Sequence, residues 1–272
     1  MRLSLSNLAW PAEREAEAFR LLSDLGVTGV EVAPTRLGPW ESLTRPVLAD
    51  YRSRIEAHGL CISSLQAILF GRNNLQLLQD QAAFDAMAEH VRVVAGMAET
   101  LGAQAMVFGS PRNRDAGTLS AKQAWDIGRE RWRVLGQIAH ESGTMIGIEP
   151  VPACYGGAYL AAWRDVLRMV QDVDHPGVAV HLDTGCVRLG GDSIAEAVRE
   201  AAPWLAHFHL AERDLGAFDS PEMEHAAAAR ALAEVGYAHW LAIEMREQPD
   251  DPLSAVATAV AFAKGTYGAA AG

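Results

Sequence analysis

Four ionisable side chains sit at the ends of four successive β-rich apolar runs. Glu149 stands in Ile-Gly-Ile-Glu-Pro, Asp183 in Val-His-Leu-Asp-Thr-Gly, His209 in His-Phe-His-Leu, and Glu244 in Leu-Ala-Ile-Glu-Met. One such residue alone is commonly a salt-bridge partner or a helix cap. Four at the same point of consecutive strands would meet on one rim, where three carboxylates repel unless a cation neutralises them. One imidazole with three carboxylates suits a divalent ion of intermediate hardness, Mn²⁺, Mg²⁺ or Co²⁺, with zinc as a further candidate. Side chains two residues back along a strand point the same way. That places His181 beneath Asp183 and His207 beneath His209. There an imidazole either orients a ligand carboxylate or is a core histidine held by a backbone carbonyl.

The elements that must position these groups alternate from end to end. β-Rich runs at 3–8, 29–33, 60–69, 105–108, 145–149, 178–183, 205–210 and 240–245 are each followed by a helical segment. The first helix stops at Gly26, and later ones are expected at 46–58, 120–141, 160–171, 193–201, 221–235 and 252–264. The clearest stripe is Phe84, Met87, Val91, Val94, Ala98 and Leu101, spaced by three and four residues. Such alternation implies parallel strands joined by right-handed crossovers, with helices outside. Eight units in this length predict an α/β fold, a closed (β/α)8 TIM barrel with its chemistry at the C-terminal mouth. A doubly wound open sheet would carry a glycine-rich loop after its first strand, and Asn7-Leu8-Ala9-Trp10-Pro11 has no glycine. No composition break divides the chain, so 1–272 is expected to form one domain with a frayed tail at 268–272.

The formal charge of −11 over 272 residues argues against nucleic-acid binding, which requires neutralising phosphates. The densest basic region, Arg112 to Arg133, is interrupted by Asp115, Asp126 and Glu130 and reads as a loop and a solvated helix face. Cys61, Cys154 and Cys186 form no C-x-x-C pair, which argues against a disulfide framework and fits a reducing compartment. No run approaches the roughly 18 apolar residues of a membrane span, and no secretory signal opens the chain. A cytoplasmic protein without a membrane partner is expected.

The order Glu, Asp, His, Glu on strands five to eight, with Glu-Pro, Leu-Asp-Thr-Gly and His-Phe-His-Leu around the first three, resembles the xylose-isomerase-like TIM-barrel superfamily. More narrowly it is similar to the sugar phosphate isomerase/epimerase branch, which includes ketose 3-epimerases. The resemblance implies a metal-dependent isomerase or epimerase of a ketose or sugar phosphate, working by proton transfer through an enediolate. Glu149 and Glu244 would be the acid–base pair, while Asp183 and His209 mainly hold the ion. It also implies a small carbohydrate partner, and relatives that form dimers or tetramers raise the expectation of a homo-oligomer.

The sequence departs from this family in places that bear on substrate. Cys186 stands where members often carry a histidine three residues after the strand-six aspartate, and a neutral thiol is a weak hydrogen-bond partner. The segment 151–157 lacks the substrate-binding acid that the epimerases place after strand five. Glu212 and Arg213 are the expected polar contacts after strand seven. Asn7 and Trp10 after strand one, Gln66 on strand three and Ser110 after strand four are further pocket candidates. Other readings are a dehydratase of a polyol or keto-inositol on the same metal chemistry, a non-catalytic metabolite-binding barrel, and an endonuclease-IV-type DNA repair enzyme. The lost histidine and the acidic charge count against the last.

Overall fold

The computed structural model describes residues 1–268. Eight parallel strands pair in chain order and close β8 onto β1. They are β1 (Arg2–Ser6), β2 (Gly29–Val32), β3 (Cys61–Leu65), β4 (Ala105–Phe108), β5 (Ile146–Ile148), β6 (Val178–Asp183), β7 (Leu205–Ala211) and β8 (Trp240–Glu244). Among the described residues, nine α-helices wrap them: α1 (Glu15–Asp24), α2 (Arg45–Glu56), α3 (Gln81–Leu101), α4 (Ala121–Glu141), α5 (Trp163–Val173), α6 (Thr184–Leu189), α7 (Ile194–Ala201), α8 (His225–Glu234) and α9 (Pro252–Ala263). The expected single TIM barrel is the fold observed. Of the tail expected to fray, Gly268 ends a π turn, and 269–272 lie outside the described residues.

Local sequence explains the helix limits. Asp80 caps α3 through the Ala83 amide, and Gly102 ends it in the left-handed conformation (φ 78°). All six residues of the expected α3 stripe are buried. Ser120 opens α4 with a capping box closed by Gln123. Among the described residues no helix is long and apolar enough to cross a membrane, and all three cysteines are free.

Several boundaries differ from expectation for identifiable reasons. β1 ends at Ser6 rather than residue 8, because the Ser6 hydroxyl accepts from the Leu8 amide and starts a 3₁₀ turn. β3 ends at Leu65 rather than 69, since Ala67 adopts a left-handed φ of 52°. α5 begins at Trp163 because Leu160 is likewise left-handed (φ 53°). α8 starts at His225 rather than 221, because the Glu222 and Met223 amides donate to the Glu212 carboxylate instead. α6 was not anticipated. It starts directly on Asp183, whose side chain caps it.

Candidate metal and active site

Each of the four strands β5–β8 brings one group to the mouth. Glu149 lies one residue beyond β5, its amide donating to the Phe108 carbonyl and its own carbonyl accepting from Arg114 at 2.6 Å. Asp183 ends β6 directly across from His209 of β7, and Glu244 ends β8 beside Ala211. One donor atom from each of Glu149, Asp183, His209 and Glu244 lies within 4.8 Å of the other three. His209 Nδ1 is 3.1 Å from Glu244 Oε2 and 3.9 Å from Asp183 Oδ2. Asp183 Oδ1 accepts from the Cys186 amide at 2.6 Å, while its Oδ2 is buried with no hydrogen-bond partner. A buried carboxylate oxygen with no donor, facing two further carboxylates and an imidazole nitrogen, fits a divalent cation.

The electrostatics fit it as well. Burial, then the charges of Asp183 and Glu244, push the Glu149 carboxyl well above the usual carboxylate range. Burial and then Glu244 push Asp183 up to about 6. Burial alone would lower His209, but Glu31 and Glu244 outweigh it and carry the imidazole well above its ordinary value. A divalent ion must displace protons from these carboxylates and from His209, so its affinity is expected to fall as pH drops from above the ordinary imidazole range and on through the Asp183 value of about 6. The loss should be about tenfold per pH unit for each ligand proton displaced. Titration calorimetry with Mn²⁺ at about pH 7.5, 6 and 5 measures this, and a pH-independent affinity would contradict it.

Two lobes of one cavity meet at this cluster, sharing Gly109, Glu149, Leu215 and Glu244. The first, about 280 Å³, is walled by Leu8, Ile68, Leu69, Phe70 and Phe108. The second, about 390 Å³, holds Tyr155, Asp183, Cys186, Glu212, Asp214 and Arg246. Ala67 of the first lobe, Asp214 of the second and Leu215 of both all have left-handed φ between 52° and 56°, conformations that non-glycine residues hold only when their surroundings enforce them. The Asp214 amide donates to the Tyr155 hydroxyl at 2.8 Å, which is part of that enforcement.

The remaining expected site residues divide. Cys186 lines the second lobe, and burial followed by the charge of Asp183 pushes its thiol well above the usual value, so it stays neutral. Gln66 and Ser110 line the first lobe, but both are engaged within the protein. The Gln66 amide nitrogen donates to Ser6 and to Glu31, and the Ser110 hydroxyl donates to Asn113 Oδ1. Glu212 reaches the second lobe, yet its carboxylate is a loop anchor that accepts from His225 at 2.8 Å and from the Glu222 and Met223 amides. Asn7, Trp10 and Arg213 line neither lobe. Asn7 is buried and accepts the Ala33 amide at 2.9 Å, tying the end of β1 to the end of β2. Trp10 is packed edge-on against Phe19 in the core, and Arg213 is exposed. The arginine of the cavity is instead Arg246, two residues beyond Glu244.

His181 and His207, two residues before Asp183 and His209 on their strands, are both fully buried. His207 Nε2 is 2.8 Å from Glu31, and both ring nitrogens of His181 lack a hydrogen-bond partner, with Glu149 Oε1 3.5 Å away. Burial, then the neighbouring His209 and His207, hold His181 well below the usual imidazole value, so it is neutral.

Three site residues escaped the sequence reading. Glu31 is fully buried inside the barrel, and its signal was a lone acid in the apolar run Gly-Val-Glu-Val. Gly109 follows β4, where a Cβ would stand 1.9 Å from Glu149 Oε2. Arg114 belongs to the stretch expected to be a solvated loop and helix face, yet it is 0% exposed and braces Glu149. Burial lowers its guanidinium to about 10, with Glu149 opposing that shift.

Comparison with known proteins bears on the family and the fold. The model of the xylose isomerase-like TIM barrel family matches residues 19–265. D-psicose 3-epimerase of Ruminiclostridium cellulolyticum is 27% identical over 120 residues, 44% of this chain and only 41% of that protein. In fold the chain is similar to D-psicose 3-epimerase from Clostridium cellulolyticum H10, solved with D-tagatose (TM-score 0.82, 16% identity, 98% of this chain and 99% of that one). It is also similar to 3-keto-D-glucoside 4-epimerase from E. coli (TM-score 0.80, 19% identity, 97% and 99%). By its sequence match along most of its length, the chain belongs to the xylose isomerase-like TIM barrel family.

Proposed function

We propose that the protein is a divalent-metal-dependent isomerase or epimerase of a ketose or sugar phosphate, acting by proton transfer next to the carbonyl. The observation that carries this reading is the meeting of two carboxylates, Glu149 and Glu244, with Asp183 and His209 where the two cavity lobes join. When held by these four residues, the ion supplies positive charge beside the sugar's oxygens and so makes the neighbouring C–H more acidic. One of the two glutamates then removes that proton, and the other returns one. Asp183, tied to the Cys186 amide, and His209, tied to Glu31, keep the cluster in shape. Cys186 offers the substrate a weak neutral thiol, and Arg246 and Tyr155 are the cavity's strong donors. Similarity to proteins that are themselves 3- and 4-epimerases of sugars supports the reaction class.

Elemental analysis of the purified protein, followed by a ketose panel screened for deuterium uptake from heavy water, tests the reading. Expected are a bound divalent ion and carbon-bound deuterium in at least one ketose, lost with EDTA and restored by Mn²⁺ or Co²⁺. A product of unchanged mass separates isomerisation from elimination of water. Neither bound metal nor exchange across the panel would leave a metabolite-binding barrel as the better account.

A further inference from the structure

Glu31 is the most completely enclosed acid in the barrel and takes no part in the cluster at the mouth. It sits on β2, in a run of four buried residues, and is 0% exposed. Removing a carboxylate from water costs several kcal/mol unless donors replace the lost hydration. Here four donors do so: Ser64 Oγ at 2.7 Å, Gln66 Nε2 at 3.0 Å, His207 Nε2 at 2.8 Å and His209 Nε2 at 3.0 Å. Two of these come from the next strand, β3, or its end. The two histidines come from β7, across the barrel.

His209 is therefore held between two carboxylates by its two ring nitrogens. Nε2 meets Glu31, and Nδ1 faces Glu244 and Asp183. A neutral imidazole carries one proton, and the nitrogen without it is the one that can bind a cation. A carboxylate that only accepts hydrogen bonds requires that proton to be on Nε2.

We infer that Glu31 is the positioning residue of the site: it fixes the proton of His209 on Nε2 and so presents Nδ1 to a divalent ion, while His207 holds Glu31 in place from the same strand. This rests on the reading of Glu149, Asp183, His209 and Glu244 as ligands. Glu31 neither lines the cavity nor touches substrate. It acts through the imidazole, as outer carboxylates do for metal-binding histidines, where their loss weakens metal affinity by about 10–100-fold.

The test compares E31Q with S64A. E31Q keeps the shape but removes the charge and turns one acceptor oxygen into an NH₂, which faces N–H donors at either position, His207 and His209 at Oε1 or His209 and Gln66 at Oε2. S64A removes another partner of Glu31 and leaves His209 untouched. E31Q is expected to weaken Mn²⁺ binding by about 10–100-fold in calorimetry, and S64A by less than about threefold, whatever each does to the melting temperature. Equal losses in both variants, scaling with melting temperature, would reduce Glu31 to a structural residue and overturn the inference, as would unchanged affinity in E31Q. Should E31Q fail to fold, ¹⁵N imidazole spectra of the wild-type protein decide the matter, both metal-free and with Mg²⁺ or Zn²⁺. Expected is a His209 protonated at Nε2 in both states, with Nδ1 losing any proton when the ion binds. An unprotonated Nε2 in either state overturns the inference. A wild-type protein that binds no divalent ion defeats the ligand reading instead, and the metal-free spectrum still judges Glu31.

Discussion

Glu149→Gln and Glu244→Gln are each expected to abolish carbon–deuterium exchange on a ketose substrate while leaving the barrel folded. A positioned acid or base contributes about 10²–10⁴-fold, so a loss near 10³-fold at saturating metal is the expected size. Glutamine keeps an oxygen that can face the ion but cannot take up a proton at neutral pH, so chemistry should fall further than metal affinity. Stability should move the other way for E149Q. Burial, and then repulsion from Asp183 and Glu244, hold the Glu149 carboxyl well above the usual range. With a raised folded-state value, the stability that comes with protonation is fully present below the ordinary carboxyl range and is lost as pH rises through the raised value. At neutral pH the metal-free wild type has therefore lost part or all of that stability, a penalty that a glutamine does not carry. In EDTA, E149Q should melt at or above the wild-type temperature, with about 2–4 °C gained for each kcal/mol recovered in a chain of this size. The stabilisation that Mn²⁺ gives the wild type should shrink in the variant. Exchange that persists at the wild-type rate in either variant would remove the two-glutamate mechanism. A variant that melts well below wild type in EDTA would show that Glu149 is structural rather than strained.

What made the four clustered residues readable from sequence is that they stand at or near strand ends, and a parallel barrel sends every strand's end to one rim. The β4 and β6 limits matched expectation because each apolar run is bounded by glycine or a capping Asp-Thr-Gly turn. Where the loop at the mouth is held by a left-handed non-glycine residue, as at Ala67 and Leu160, local propensity gave no warning. Asn7 and Trp10 follow β1, a position that by chain order alone points to the mouth. A 3₁₀ turn there takes Asn7 to the Ala33 amide and Trp10 onto Phe19. The distinction between a polar residue that lines a pocket and one that anchors a loop is set by partners elsewhere in the chain. Glu212 illustrates it, since its carboxylate is taken by His225 and the amides before α8. Glu31 is the extreme case, because the histidines that give it meaning lie 176 and 178 residues away.

Gly109→Ala is expected to disable the site without destabilising the protein, although it adds a single methyl group. Gly109 follows β4 and does not adopt a left-handed φ, so its backbone tolerates alanine. The obstacle is the Glu149 side chain. A Cβ at 109 would lie 1.9 Å from Oε2 and 3.1 Å from the carboxyl carbon, while the next contact is an ordinary 3.8 Å. The strain is relieved by rotating one carboxylate, which is the far end of a flexible side chain. The Glu149 backbone cannot follow, because the Phe108 carbonyl and the Arg114 guanidinium hold it on both sides. The carboxylate must then leave the position in which it meets Asp183, His209 and Glu244. Misplacing a catalytic group by about 1 Å can cost about 10²-fold in rate, so exchange should fall by at least that much and Mn²⁺ binding should weaken with it. Melting temperature should change little, since no core packing is lost. Gly128→Ala supplies the contrast: its Cβ would meet the Tyr159 hydroxyl at 1.9 Å and the ring carbon at 2.9 Å on the face of α4. A ring cannot bend out of the way, so G128A should lower stability by about 1–3 kcal/mol through overpacking and leave the exchange rate of the folded fraction near wild type. Should G109A exchange deuterium at the wild-type rate with undiminished metal affinity, the Glu149 carboxylate seen against Gly109 is not the working position of that group.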